Sequence, residues 1–344
     1  MQKAISVLRG PYMESTHDIH VAVVNTKGEL LYSYGDPNRL TFPRSSMKPF
    51  QAVPVIETGA ADAYQYSDAE LSLICASHSG EGIHRSSVMD ILGRVQLEEE
   101  ALQCGTHIPR DIDSYNELIR NGGELTPVFS NCSGKHSGML TTVVHMGEDV
   151  HTYREVEHPH QQRILQAIED VCSFPKEKIE MSVDGCGVPV HRLPLFHTAL
   201  GFARLADSSS LENKTRAHTL ERVRRAMTSF PEMVGGTDRF DTDLMRVFNG
   251  RIVAKAGAEA VQCLGDAETG IGIAIKVEDG GPRATSVATM EVLKQLGIGE
   301  EHHFAQLEQY VNAPVLNARK DTIGVIKAHF QLVKHEIGFN VVPN

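Results

Sequence analysis

The sequence has no tryptophan and few aromatic residues of any kind, with Phe 12 and Tyr 8 among 344 residues. Nucleic-acid surfaces need stacking aromatics and a basic face. Here Lys+Arg 33 stand against Asp+Glu 44, a net charge of -11, which argues against both a nucleic-acid platform and docking on anionic lipid. No run approaches the roughly 18 apolar residues of a membrane-spanning helix. The opening MQKAISVLRG also lacks the apolar stretch of a secretory signal, so a cytoplasmic location is expected. The six cysteines, at positions 75, 104, 132, 172, 186 and 263, include no Cys-x-x-Cys pair. Without an export signal such thiols are by default small buried hydrophobes rather than disulfides. Internal repeats and linker-like stretches are missing too.

What remains is ordinary globular composition, 41% hydrophobic and 22% charged. At about 150 residues per domain the length suits one large domain or two. A chain of this size buries about 75% of its unfolded surface and needs no staple to fold. Residues 18–34 read as a hairpin, with Lys27-Gly28 at the turn. Residues 46–59 read as a helix kinked at Pro54. Ser67-Asp68-Ala69-Glu70 is a capping box that opens a short helix. Apolar spacing predicts helices over 84–95 and 158–172, residues 211–229 read as a charged helix with a solvated face, and a further helix is expected near 287–296. Strands are expected at 179–183, 270–277 and 322–330. Helices mixed with hairpin-paired strands favour an α+β fold with a mostly antiparallel sheet.

Four segments could carry chemistry. Ser45 and Lys48 are three apart, and on a first helical turn they share a face. A serine attacks only when a base takes its proton, and a lysine does so only when neutral, which needs burial or a nearby cation. This S-x-x-K pattern is the nucleophile signature of serine β-lactamases and penicillin-binding proteins, but by itself it is weak, since caps are common and Ser45 could merely cap a helix while Lys48 points to water. Ser77-His78-Ser79-Gly80-Glu81 follows a predicted helix, where polar residues at a chain reversal line pockets or merely turn the chain. Ala254-Lys255-Ala256-Gly257 places one lysine among small residues that allow close approach. Cys132 and Cys186 sit in Asn131-Cys132-Ser133-Gly134-Lys135-His136 and Asp184-Gly185-Cys186-Gly187. Thiolates on such turns suit zinc, but two do not make a site, and a third ligand would have to be Lys135, His136 or Asp184.

Taken in order, Met13-Glu14-Ser15-x-His17, Pro43-Arg44-Ser45-Ser46-x-Lys48-Pro49-Phe50-Gln51, Cys75-Ala76-Ser77-His78-Ser79-Gly80-Glu81 and the two cysteine segments resemble the Rhizobium etli-type L-asparaginases. These are also called the asparaginase II family or class 3 asparaginases. The likeness runs from about residue 8 to about residue 330. It implies a serine β-lactamase-like fold, with 1–344 as a single catalytic domain that can have two lobes. It also implies hydrolysis of L-asparagine to L-aspartate and ammonia, and a homodimer. On the residues that match, it implies Ser45 with Lys48 and Ser77 with Lys255 as two catalytic pairs, with Ser45 favoured as the attacking serine. Cys132, Lys135 and Cys186 match a zinc site, and Arg44, His136 and Asp184 match substrate-contacting residues. Lys255-Ala256-Gly257 replaces the K-T-G triad of β-lactamases, which lowers the odds of β-lactam hydrolysis. The alternatives are a Ser-Lys hydrolase of another small amide or ester, such as glutamine or a β-aspartyl compound, and a catalytically silent amino-acid- or metal-binding homologue.

Overall fold

The computed structural model describes residues 3–336 and divides the chain into two compact units. The first comprises Met1–Ser46, Leu193–Asp207 and Asp243–Asn344; the second comprises Met47–Arg192 and Ser208–Thr242.

The first unit is built on antiparallel sheets. In the six-stranded sheet the order is Val333–Lys334, Leu30–Tyr34, Ile19–Asn25, Ile271–Val277, Val261–Asp266, Ile252–Gly257. The predicted hairpin is its second and third strands, with Val21 opposite Tyr34. The central strand IGIAIKV is buried at all positions but its first, so its sequence does not alternate between apolar and polar residues. One face carries the helix Leu195–Ala206. Gly272 and Gly265 make that approach possible: a Cβ on Gly272 would stand 1.9 Å from Ala199 O, and one on Gly265 2.3 Å from Phe202 O. A side chain at either position would lift the helix off the sheet. A second, four-stranded sheet runs Pro314–Leu316, Thr322–Ala328, Ile5–Arg9, Tyr12–His17. The predicted helix at 287–296 is Thr285–Leu296, and it ends at Gly297 with φ +67°.

The second unit is helical. The kinked helix resolves into two pieces, Lys48–Gln51 and Val53–Glu57, with Pro49 and Pro54 each in a first turn, where a missing N–H costs nothing. Asp68–Ile74 starts on the Ser67–Glu70 capping box as expected. The helices Gly82–Arg94 and Pro159–Cys172 stand where apolar spacing placed them, and Lys214–Ser229 is the expected charged helix. Arg216, nearly fully buried, ties three elements together through Glu57 and Asp170. At the centre lies Ser133–His145, a helix that periodicity does not mark because it is buried all round from Ser133 to Val143. Its Gly134 and Gly138 lie against the Asp68–Ile74 helix, where a Cβ would meet Leu73 O at 2.5 Å and Ile74 Cγ2 at 2.9 Å. Glu180–Val183 forms a hairpin with residues 189–192. Among the described residues no helix is long and apolar enough to cross a membrane. Antiparallel sheets and flanking helices thus make the fold α+β, as expected.

Candidate active site

In the second unit the site grows from Lys48. The lysine opens its short helix directly after the 3-10 turn Arg44–Met47, and it is completely buried. Its ammonium nitrogen lies 2.5 Å from Ala76 O, 3.1 Å from Ser77 Oγ, 3.3 Å from Cys132 Sγ and 3.4 Å from Asn131 O. Burial pushes its pKa down and the charge of Lys135 adds to that, while the sulfurs of Cys132 and Cys186 partly oppose it. A lysine so placed has a neutral form within reach, as a general base requires.

Ser77 is nearly buried and follows the Asp68–Ile74 helix by three residues. Its N–H donates to Val234 O (2.9 Å), and Ser79 Oγ donates to Gly235 O (2.8 Å), so the Ser77–Glu81 loop is pinned along its length. Arg110 follows a proline packed on Gly80, and the N–H of Asp111 donates to Ser79 O.

Beyond Lys48 lies a compact sulfur and nitrogen cluster. Lys135 Nζ is 3.0 Å from Cys186 Sγ, and both residues are buried. The Cys132 thiol hydrogen-bonds to Cys186, which raises the Cys132 pKa, and burial raises it further. The same bond lowers the pKa of Cys186 against the cost of burial, with help from the charge of Lys135. Burial works against protonation of Lys135, but the two sulfurs outweigh it and hold its pKa high. Within the cluster the Cys186 sulfur is thus the more acidic of the two and faces Lys135, while Cys132 holds its proton more firmly. His136 follows on the same helix. Its Nδ1 is 2.5 Å from the hydroxyl of Tyr153, which meets the ring edge-on. Burial holds its pKa down to about 4, so the ring is neutral, and its enclosed Nε2 has no hydrogen-bond partner among the described residues. The Cys186 sulfur favours the protonated ring and partly opposes burial. Asp184, half-buried, closes a turn in which its carbonyl accepts from Gly187 N–H (2.8 Å) and its carboxylate from Gly185 N–H (2.8 Å). Gly187 has φ +85°, a conformation that favours glycine.

The structure thus brings together Lys48, Ser77, Cys132, Lys135, His136 and Cys186. Arg44, Ser45 and Lys255 belong to the first unit. There Lys255 is buried on the strand Ile252–Gly257, its Nζ donates to Ala256 O (2.8 Å), and its own carbonyl accepts from Ser46 Oγ (2.9 Å). Gly257 faces Pro43 so closely that a Cβ would stand 2.1 Å from Pro43 O. The small residues around Lys255 therefore serve close backbone approach. Arg44 has φ +55°, a left-handed conformation uncommon for a residue other than glycine. Such backbone strain concentrates at functional sites.

Sequence reasoning missed Tyr153, the partner of His136, and Asn131, whose carbonyl Lys48 reaches. Tyr153 is a single tyrosine in a turn-rich stretch, and no spacing links it to His136. Asn131 precedes Cys132 and could have been found from that adjacency.

Residues 5–328 match the L-asparaginase II family. The chain belongs to that family and is accordingly an asparaginase-type amidohydrolase acting on an amino-acid substrate. No curated protein matches it. Among solved structures it is similar to a candidate beta-lactamase from Bacteroides dorei, at 10% identity and a TM-score of 0.41, with 81% of this chain and 94% of that chain covered. It is also similar to a beta-lactamase from Mycobacterium bovis, at 11% identity and a TM-score of 0.39, with 79% and 94% covered.

Proposed function

We propose that this protein hydrolyses the side-chain amide of L-asparagine to L-aspartate and ammonia through a serine activated by a neutral lysine. One observation carries the reading: a fully buried lysine, its pKa pushed down, 3.1 Å from a serine hydroxyl. In this reading Lys48 takes the proton of Ser77 as Oγ forms a bond to the amide carbon. The resulting ammonium returns the proton to the nitrogen as the C–N bond breaks and ammonia leaves. Water, deprotonated by the same lysine, then releases aspartate from the ester. Asp184 is suited to the substrate's α-ammonium group. Ser45, favoured from the sequence, and Lys255 are carried by the resemblance and belong in the same series of variants.

The donor set fits the expected zinc. Two sulfurs and a lysine nitrogen gather in one buried cluster, with the His136 ring beside Cys186. Cys132, Lys135 and Cys186 would hold the ion, with Lys135 giving up its proton to bind as the free amine. No cluster of three or more His, Cys, Asp or Glu residues exists among the described residues, so lysine is needed to complete a site here. When bound, the metal would supply positive charge for gripping a substrate oxygen.

Ammonia release from L-asparagine, L-glutamine and a β-aspartyl amide tests the reading, with Ser77→Ala, Lys48→Met and Ser45→Ala run alongside. Release from asparagine that is lost in Ser77→Ala and Lys48→Met supports it. Full activity in Ser77→Ala would remove Ser77 as nucleophile, and release only from another amide would change the substrate. The homodimer is likewise proposed, and sedimentation tests it.

A further inference from the structure

His78 is completely buried beside Ser77, yet the reaction above gives it no task. Its hydrogen bonds define its state. Nδ1 accepts from the N–H of Gly80 (3.1 Å), so that nitrogen carries no proton. Nε2 then holds the ring hydrogen and donates it to Ser133 Oγ (2.9 Å). The Ser133 hydroxyl in turn donates to Val128 O (3.1 Å). Each proton in this chain has one place, and each group has the role its chemistry allows. His84 stacks on the ring at 4.9 Å and is itself held by Glu232 O (2.9 Å). Burial, with the neighbouring His84 and Lys48, keeps His78 uncharged.

What the chain connects matters more than its members. One end is the loop that begins at Ser77; the other is the first turn of the helix Ser133–His145, which starts directly after Cys132 and carries Lys135. Lys48 touches the same two segments, at Ala76 O and Ser77 Oγ on one side and at Asn131 O and Cys132 Sγ on the other. The gap between the segments is thus the space in which Lys48 sits, and His78 spans it a second time. We propose that His78, protonated on Nε2 and bonded to Ser133, is a positioning residue that sets the spacing of the Ser77 loop from the Cys132–Lys135 turn, and so the contact between Lys48 and Ser77. This rests on the reading of Lys48 and Ser77 given above. Misplacement of reacting groups by about 1 Å costs on the order of a hundredfold in rate, so a strut at this gap governs kcat.

The test is a cycle of His78→Asn, Ser133→Ala and the double variant, with Ser133→Thr as the conservative control. Asparagine keeps an acceptor for the N–H of Gly80 but does not reach Ser133. Each single variant is expected to lower kcat about tenfold to a hundredfold, with KM within about twofold of wild type. The double variant should be no worse than either single, and Ser133→Thr should keep wild-type kcat. Losses that multiply in the double variant, or wild-type kcat in Ser133→Ala, would overturn the proposal. Nitrogen-15 spectra of histidine-labelled protein give a readout independent of turnover: His78 should be protonated on Nε2 alone, and that signal should move in Ser133→Ala. A ring protonated on Nδ1 overturns the proposal even in a protein that releases no ammonia. Absence of ammonia release with the expected spectrum instead counts against the asparaginase reading alone.

Discussion

Replacing His160 by phenylalanine should make the protein more resistant to acid, by an amount the structure sets. His160 lies in the first turn of the helix Pro159–Cys172, is completely buried, and has no hydrogen-bond partner on either ring nitrogen among the described residues. Burial, aided by the charges of Arg163 and His158, holds its pKa down to about 3, against 6.5 for a free histidine. Between these values the unfolded chain binds a proton that the folded chain does not. Stability from this residue is therefore complete above the unfolded value and is lost as pH falls. Between about pH 7.5 and about pH 5 the linkage amounts to about 2 kcal/mol. The figure hardly changes if the folded value is a unit higher, because at that pH the folded ring is neutral either way. His160→Phe removes the titration and keeps an aromatic ring of similar shape. It also removes two buried polar atoms without partners, worth about 1–3 kcal/mol at neutral pH before the cost of a slightly larger ring. Urea unfolding at the two pH values gives the answer, followed by circular dichroism because the chain has no tryptophan. His136 and His191, both held down to about 4, remain in the variant, so both proteins weaken in acid and only the difference between them belongs to His160. An equal acid-induced loss in the two proteins would refute the reasoning.

Gly257→Ala should cost about 1–3 kcal/mol through overpacking, because its Cβ would meet Pro43 O at 2.1 Å and Ser46 Oγ at 3.0 Å. An unchanged melting temperature would contradict that packing. Arg216→Ala should destabilise by about 3 kcal/mol, near the low end for a broken buried pair, because Glu57 and Asp170 keep partial access to water. Arg216→Met should cost less, since it preserves the packed stem, and denaturant midpoints rank the two variants. Removing metal by chelation should raise KM more than it lowers kcat, if the ion grips substrate; a loss confined to kcat would reject that role.

The parts of the molecule that could be read in advance are those governed by local rules. The Ser67–Glu70 capping box, the hairpin at residues 18–34 and the helix Pro159–Cys172 each depend on neighbours within one turn or one pleat, and spacing alone locates them. The helix Ser133–His145 could not be seen that way, because a helix buried on every side has no polar face to give it a period. The site divides along the same line. Ser45, Lys48, Ser77, Cys132 and Cys186 stand in short segments whose composition is unusual enough to notice. Which of them touch is a long-range matter: Ser77 is 29 positions from Lys48, and Cys186 is 51 from Lys135. The electrostatic outcome is less legible still. Lys48 and Lys135 are both buried lysines beside cysteine sulfur, yet burial wins at Lys48 and the sulfurs win at Lys135. The difference follows from which sulfur each lysine faces: Lys135 lies against Cys186, the more acidic one, and Lys48 against Cys132. A one-dimensional pattern identifies donors; only their packing decides which donor carries the charge, and that decides which lysine can act as a base.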